Sequence, residues 1–188
     1  MDWMTDLRAI DGTVLWGLAG VLFVGWMAWL SRARLSSFLR ARRLDRSVRR
    51  LGPAVLRDVS LPDGLGHHLR IDYLVLTTES LLVISLRRYP GMLFAGETLE
   101  QWAQVLGGRS HKFANPLPDL DRQIAAVRAL IPEVPIRGVL VFTDGGRFPK
   151  GKPDRVLQAE ELADYISPGG EVGEALQSAW AQLQAALR

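Results

Sequence analysis

Hydrophobic and polar positions alternate most tellingly between Arg70 and Arg88, RIDYLVLTTESLLVISLRR. Ile71–Leu76 and Leu81–Leu86 are β-branched and apolar runs that polar residues break at only a few places, and Thr77-Thr78-Glu79-Ser80 between them is polar. The pattern predicts two strands joined by a tight turn and covered on both faces, the centre of a sheet. Ile136–Thr143 reads as a further buried strand, with shorter strands at Ala54–Ser60, Met92–Ala95 and Arg155–Leu157. Helical spacing predicts a helix from Asp119, with Leu120, Ile124, Val127 and Leu130 on one face. A second amphipathic helix is expected over Glu171–Leu187, packed through Val172, Leu176, Trp180, Leu183 and Leu187. Glu97–Leu106 is expected to be helical with Trp102 inward, ended by Gly107-Gly108, and Ala159–Ile166 is expected to be a short helix. This order of elements predicts an α/β or α+β sheet with helices packed on it.

Gly12–Ser31 is a stretch of 20 residues without a charge, with Trp16 near one end and Trp26 and Trp29 near the other. As a helix it would span about 30 Å, the thickness of a bilayer core. It is expected to be a single transmembrane helix rather than a cleaved leader, because the residues before it are acidic. Ser31–Leu51 is expected to continue as a helix, with Leu35, Phe38, Leu39, Leu44, Val48 and Leu51 at near-helical spacing.

Charge sharpens that picture. Residues 1–31 carry a net −2, residues 32–50 a net +7 and residues 51–188 a net −2. The basic segment therefore follows the span directly. By the positive-inside rule the N-terminus is expected outside and the domain in the cytoplasm, and the expected location is a bacterial plasma membrane. Segment 32–50 is expected to touch anionic lipid headgroups; contact with DNA is the sharper reading of the same arginines. The segments expected are 1–11 outside, 12–31 in the membrane, 32–51 as a basic helix, 52–168 as the domain and 169–188 as a C-terminal helix. The span has no GxxxG pattern, so nothing in it argues for an oligomer. The chain has no cysteine, which excludes disulfides and thiolate metal sites.

The hairpin also gathers the candidate chemistry. Closed at its polar tetrad, it sets Asp72 opposite Ser85, and Arg87 opposite Arg70 and diagonal to Asp72, all on one face. That register predicts an ion pair between Asp72 and Arg87 or Arg70, and makes Arg70 and Arg87 candidate anion-binding groups. A complete phosphate loop of the GxxxxGK[ST] type, GxGxxG and GxSxG are absent. His67 and His68 are adjacent and point to opposite sides of an extended chain, which suits a shared metal poorly.

Six segments in order give the chain a family resemblance: LRDVSLP (Leu56–Pro62), IDYLVL (Ile71–Leu76), LLVISLRRYPG (Leu81–Gly91), Trp102, ANPL (Ala114–Leu117) and RGVLVFT (Arg137–Thr143). Over roughly residues 45–166 the sequence resembles the nuclease-related domain (NERD) family of the PD-(D/E)XK nuclease-like superfamily. The resemblance implies a restriction-endonuclease-like mixed sheet flanked by helices. It also implies a site in which an Asp and a Glu-x-Lys hold Mg²⁺ and position an attacking water. Asp72 matches the Asp, whereas Ser85 stands at the Glu and Arg87 at the Lys. Arg70 replaces a usual Gln, Asp119 stands at another usual Gln with Gln123 one turn further on, and Asp45 is the candidate for a first-helix Glu. Serine is a poor Mg²⁺ ligand, and arginine cannot release a proton near neutral pH. The expectation is therefore an inactive nuclease-like domain that needs no cofactor and binds nucleic acid or protein. The alternative is a membrane-tethered, Mg²⁺-dependent DNA nuclease with a rearranged site. It would hold the ion at Asp72 and draw a second acid from Glu79, Glu97 or Glu100.

Overall fold

A computed structural model describes Trp26, residues 38–62, Gly66, residues 68–165 and residues 170–187. The span expected over Gly12–Ser31 lies outside the described residues except for Trp26. Among the described residues no helix is long and apolar enough to cross a membrane. Helix α1 covers residues 38–50, as the near-helical spacing predicts. Its part up to Leu44 belongs to a unit separate from the body, Asp45–Arg188.

In the body the order is β1 (Ala54–Pro62), β2 (His68–Leu76), β3 (Leu81–Arg88), β4 (Gly91–Phe94), β5 (Gln101–Leu106), β6 (Arg109–Ala114), α2 (Leu117–Leu130), β7 (Ile136–Thr143), β8 (Gly146–Arg147), β9 (Val156–Gln158) and α3 (Glu174–Ala186). These strands make two sheets, a five-stranded one in the order β1-β2-β3-β7-β9 and a four-stranded one in the order β6-β5-β4-β8. The larger sheet is mixed. β1, β2 and β3 pair antiparallel, while β3–β7 and β7–β9 pair parallel. The α/β class with a mixed sheet flanked by helices is therefore present.

Both faces of the central strands β2, β3 and β7 are buried, as their largely apolar runs predict. One face carries Leu74, Leu76, Leu81, Val83, Leu140 and Phe142, which share a core with Leu117, Leu120, Ile124 and Val127 of α2. Gly138 lets α2 lie this close, because a Cβ there would come within 2.5 Å of Ile124 Cδ1. The stripe expected on α3 joins the same core through Leu176, Trp180 and Leu183. On the other face Tyr73, Val75, Leu82, Ile84, Val139 and Val141 are also buried. Gly52, just after α1, closes against this face: a Cβ would stand 1.8 Å from the Leu76 carbonyl oxygen and 3.2 Å from Val75 Cγ1. Asp45 pairs with Arg57 at 3.1 Å, and the Arg57 guanidinium lies 5.2 Å from the Tyr73 ring centroid.

Two expectations of local structure fail. Gln101–Leu106 is strand β5, not helix, and Arg109–Ala114 pairs with it as β6. Gly107 and Gly108 have φ of +57° and +78°, so they form the two-residue turn of a hairpin rather than a helix stop. Trp102 is buried, but by strand alternation. The helix expected over Ala159–Ile166 is a single 3₁₀ turn, Glu161–Asp164.

Candidate functional site

The closed end of the β2–β3 hairpin is tied by hydrogen bonds among its own residues. Thr77 N–H donates to the Ser80 carbonyl (3.0 Å), Thr77 Oγ1–H donates to the same oxygen (2.7 Å), and Ser80 N–H donates to Thr77 Oγ1 (3.1 Å). From there the register runs Leu76–Leu81, Val75–Leu82, Leu74–Val83 and Tyr73–Ile84, as the polar tetrad predicts. Antiparallel pairs alternate between hydrogen-bonded and non-hydrogen-bonded. With Thr77–Ser80 bonded, the next bonded pair after Tyr73–Ile84 would be Ile71–Leu86. The ladder ends instead at Tyr73–Ile84, and Leu86 N–H donates to Asp72 Oδ2 at 2.7 Å. The Asp72 carboxylate takes the place of a main-chain acceptor where the two strands part. β2 continues along β1 and β3 along β7, so both strands remain in the sheet beyond the fork.

An open cleft of about 560 Å³ lies at this fork, lined by Leu69, Arg70, Asp72, Leu86, Arg87, Arg88, Asp119, Arg122 and Gln123. Ser85 is fully buried, and its Oγ accepts a hydrogen bond from Arg87 Nη1 at 2.8 Å. The same guanidinium donates to the Leu86 carbonyl at 2.9 Å and stands 3.6 Å from Asp119 Oδ2. Asp119 is also paired with Arg122 one turn along α2. Gln123 Nε2 donates to the Arg70 carbonyl at 2.8 Å, tying α2 to β2. Arg88 is exposed and makes no ion pair among the described residues.

The sequence-predicted group is thus brought together, but not in the predicted pairs. Asp72 forms no ion pair with Arg87 or Arg70 among the described residues. Arg87 is held by Ser85, Leu86 and Asp119, and Arg70 by Asp58, with Nη2 at 2.6 Å and Nε at 3.2 Å from Oδ1. Hydrogen bonding to Asp58, then the charge of Asp58 and, more weakly, that of Asp72 raise the Arg70 pKa above its ordinary value. Asp58 has a φ of +51°, unusual for a residue with a side chain. In the β1–β2 register it would stand opposite Asp72, and it is the one residue skipped between Arg57–Tyr73 and Val59–Ile71. The left-handed backbone separates two carboxylates and gives one of them to Arg70.

The other candidates lie elsewhere. Asp45 pairs with Arg49 and Arg57 and is not in the cleft. Glu79 pairs with Arg137 at the closed end, at 3.3 Å. Glu97 faces Arg155 at 3.8 Å, and neither it nor Glu100 lines the cleft. His68 Nδ1 lies 3.3 Å from Ser60 Oγ, and His67 is outside the described residues. Sequence reasoning missed Asp58, Arg88 and Arg122 as parts of this site. The signals for the last two were present: Arg88 is the next residue on β3, and Arg122 stands one helical turn from Asp119.

A nuclease-related domain pattern, NERD, matches residues 33–143, from the basic segment through β7. The chain belongs to the nuclease-related domain family. No curated protein and no solved structure matches it. In this NERD domain the residues at the expected metal positions do not fit a divalent cation. Mg²⁺ is normally held by carboxylate oxygens. Here one Asp72 oxygen is committed to a main-chain N–H, the Ser85 hydroxyl is committed to Arg87, and Asp119 is engaged by two arginines. Among the described residues no three His, Asp or Glu side chains come together at a metal-binding distance.

Proposed function

We propose that this NERD domain binds nucleic acid through its phosphates, does not cleave it, and works at a membrane. The observation that carries the reading is the charge balance of the fork. Four arginines line the cleft with two carboxylates, and both carboxylates already serve protein donors. Arg88 is open to an anion, and Arg87 is fixed beside it on β3. Guanidinium groups match phosphate geometry with paired hydrogen bonds. Asp72 acts as the latch of the fork. Its carboxylate holds the β3 backbone in place, so the arginines that follow on β3 keep a fixed direction.

The anchor is the apolar stretch 12–31, followed by the arginine-rich segment 32–50, which sets the domain on the cytoplasmic side and meets anionic headgroups. The alternative, a tethered Mg²⁺-dependent nuclease with a rearranged site, draws on one specific feature: Asp119 brings a second carboxylate into the cleft with Asp72. One experiment separates the two. The purified full chain is incubated with labelled DNA and RNA in the presence of Mg²⁺ or Mn²⁺, and binding and cleavage are scored together. Retention without cleavage, weakened by Arg88→Glu, is the expected outcome. Metal-dependent cleavage abolished by Asp72→Ala would establish the nuclease instead.

A further inference from the structure

The four-stranded sheet turns only one face to the core. Leu93 and Trp102 are buried on that face, where Phe113 and Tyr89 stack with ring centroids 4.1 Å apart. The alternate positions face the other way. In one row across the sheet stand Lys112 of β6, Ala103 of β5 and Phe94 of β4. In the next stand Ser110, Val105, Met92 and Arg147, one from each strand. Met92 is 46% exposed, Phe94 is half-buried, and Lys150 Nζ lies 5.7 Å from the Phe94 ring centroid. This outer face therefore has an apolar strip with a cation on one edge and two on the other. None of its outward strand positions is Asp or Glu. Lys112, Arg147 and Lys150 make no ion pair among the described residues.

We infer that this face binds single-stranded nucleic acid, with a base stacked on Phe94 and the flanking phosphates held by Lys112 on one side and by Arg147 and Lys150 on the other. The inference rests on the nucleic-acid reading above for the class of its ligand, but on a separate set of residues. Charge complementarity selects an anion, and the aromatic ring selects one that carries unstacked planar groups. An aromatic ring on an open sheet with cations around it is the physical requirement for stacking successive bases while tracking a backbone. A duplex offers the ring nothing, since its bases are already stacked on one another. Lys112 is two strands from Phe94, about 10 Å away, and the small Ala103 between them leaves room for a base to lie flat. A lipid surface fits less well. Interfacial insertion needs apolar groups that protrude well beyond the backbone, whereas Phe94 is half-buried and Ala103 and Val105 are low on the sheet.

The test uses the full chain in zwitterionic micelles and a fluorescent oligothymidylate of about a dozen nucleotides, read by anisotropy. Phe94→Ala should weaken binding about tenfold, and Phe94→Tyr should keep it. Lys112→Glu and Arg147→Glu should each weaken it and flatten the salt dependence by about 0.7 in log–log slope per lost phosphate contact. These two residues are exposed, so their variants decide the matter if Phe94→Ala fails to fold. Arg88→Glu in the cleft is the comparator. Loss only in the sheet variants supports this inference and defeats the cleft reading. Loss only in Arg88→Glu does the reverse, and loss in both supports both. Failure of the unmodified chain to bind the oligonucleotide overturns the inference. So does a result in which the sheet variants lose binding to phosphatidylserine vesicles but keep the oligonucleotide.

Discussion

The two ends of the β2–β3 hairpin are built from the same pair of strands and solve opposite problems. At the closed end a polar tetrad satisfies its own backbone through Thr77 and Ser80, and the residues just inside it, Leu74, Leu76, Leu81 and Val83, all lie in the core. At the open end the strands separate, and a charged side chain from one completes the hydrogen bonding of the other. A closed hairpin end needs only apolar side chains and a turn. An open one must supply an acceptor, keep its like charges apart and hold its cations in place. Here Asp72, Asp58 and Asp119 do these jobs in turn. Asp72 and Asp119 each serve a donor of the protein itself.

That contrast can be broken experimentally. The largest effect is expected at the closed half: Leu74→Ala removes a fully buried side chain from the core and should cost about 2–5 kcal/mol in denaturant unfolding. Asp72→Ala should cost less, about 1–3 kcal/mol, because it strips the acceptor from a half-buried N–H. Asp72→Asn keeps an acceptor oxygen and should recover most of that loss. Amide exchange at Leu86 should accelerate in the alanine variant and hardly change in the asparagine one. If Asp72→Ala cost as much as Leu74→Ala, the fork would be part of the core rather than a latch at its edge.

The smallest effect sharpens the comparison from the opposite face. Burial raises the Tyr73 pKa above its ordinary value of 10.0, with the charge of Arg57 acting against the rise. The unfolded chain ionises this phenol first. Its contribution to stability is therefore whole below pH 10.0 and is lost as pH climbs through the higher folded-state value. Tyr73→Phe should flatten the alkaline fall in the urea midpoint while leaving the midpoint near neutral pH little changed. An unaltered alkaline limb in Tyr73→Phe would mean that the loss arises from other groups.

The strands of the larger sheet were legible because burial on both faces leaves no choice of composition. Ile71–Leu76, Leu81–Leu86 and Ile136–Thr143 had to be largely apolar, broken only at a few positions such as Asp72, Ser85 and Arg137, and α2 and α3 each had a clear stripe. The hairpin register was legible too, since a polar tetrad can close in only one way that keeps Leu74 opposite Val83. The β5–β6 hairpin was not. Only one face of it is buried, its outer face mixes Lys112 with Ala103 and Val105, and a glycine pair serves equally to stop a helix or to turn a hairpin. At the site, proximity was legible and partnership was not. Register put Asp72, Arg70 and Arg87 together, but the carboxylates that pair with the two arginines come from β1 and α2. No spacing along β2 and β3 could reveal a left-handed Asp58 or a helix laid across the fork.

The parallel pairing of β3 with β7 has a consequence for how the chain is made. Leu81 sits beside Ile136 and Arg88 beside Thr143, so the inner edge of β3 stays unpaired until the ribosome has delivered all of β4, β5, β6 and α2. The β1–β2–β3 meander can form early from local contacts, but its most apolar strand is then an uncovered edge. Such an edge is a template for pairing with other chains, and non-local parallel pairing closes slowly. The vulnerable interval in the life of this protein thus precedes any encounter with a ligand. For β3 it ends when β7 docks, and β9 and α3 then cover β7 and the core, so a nascent chain stalled before Ile136 should aggregate where the released full chain should not.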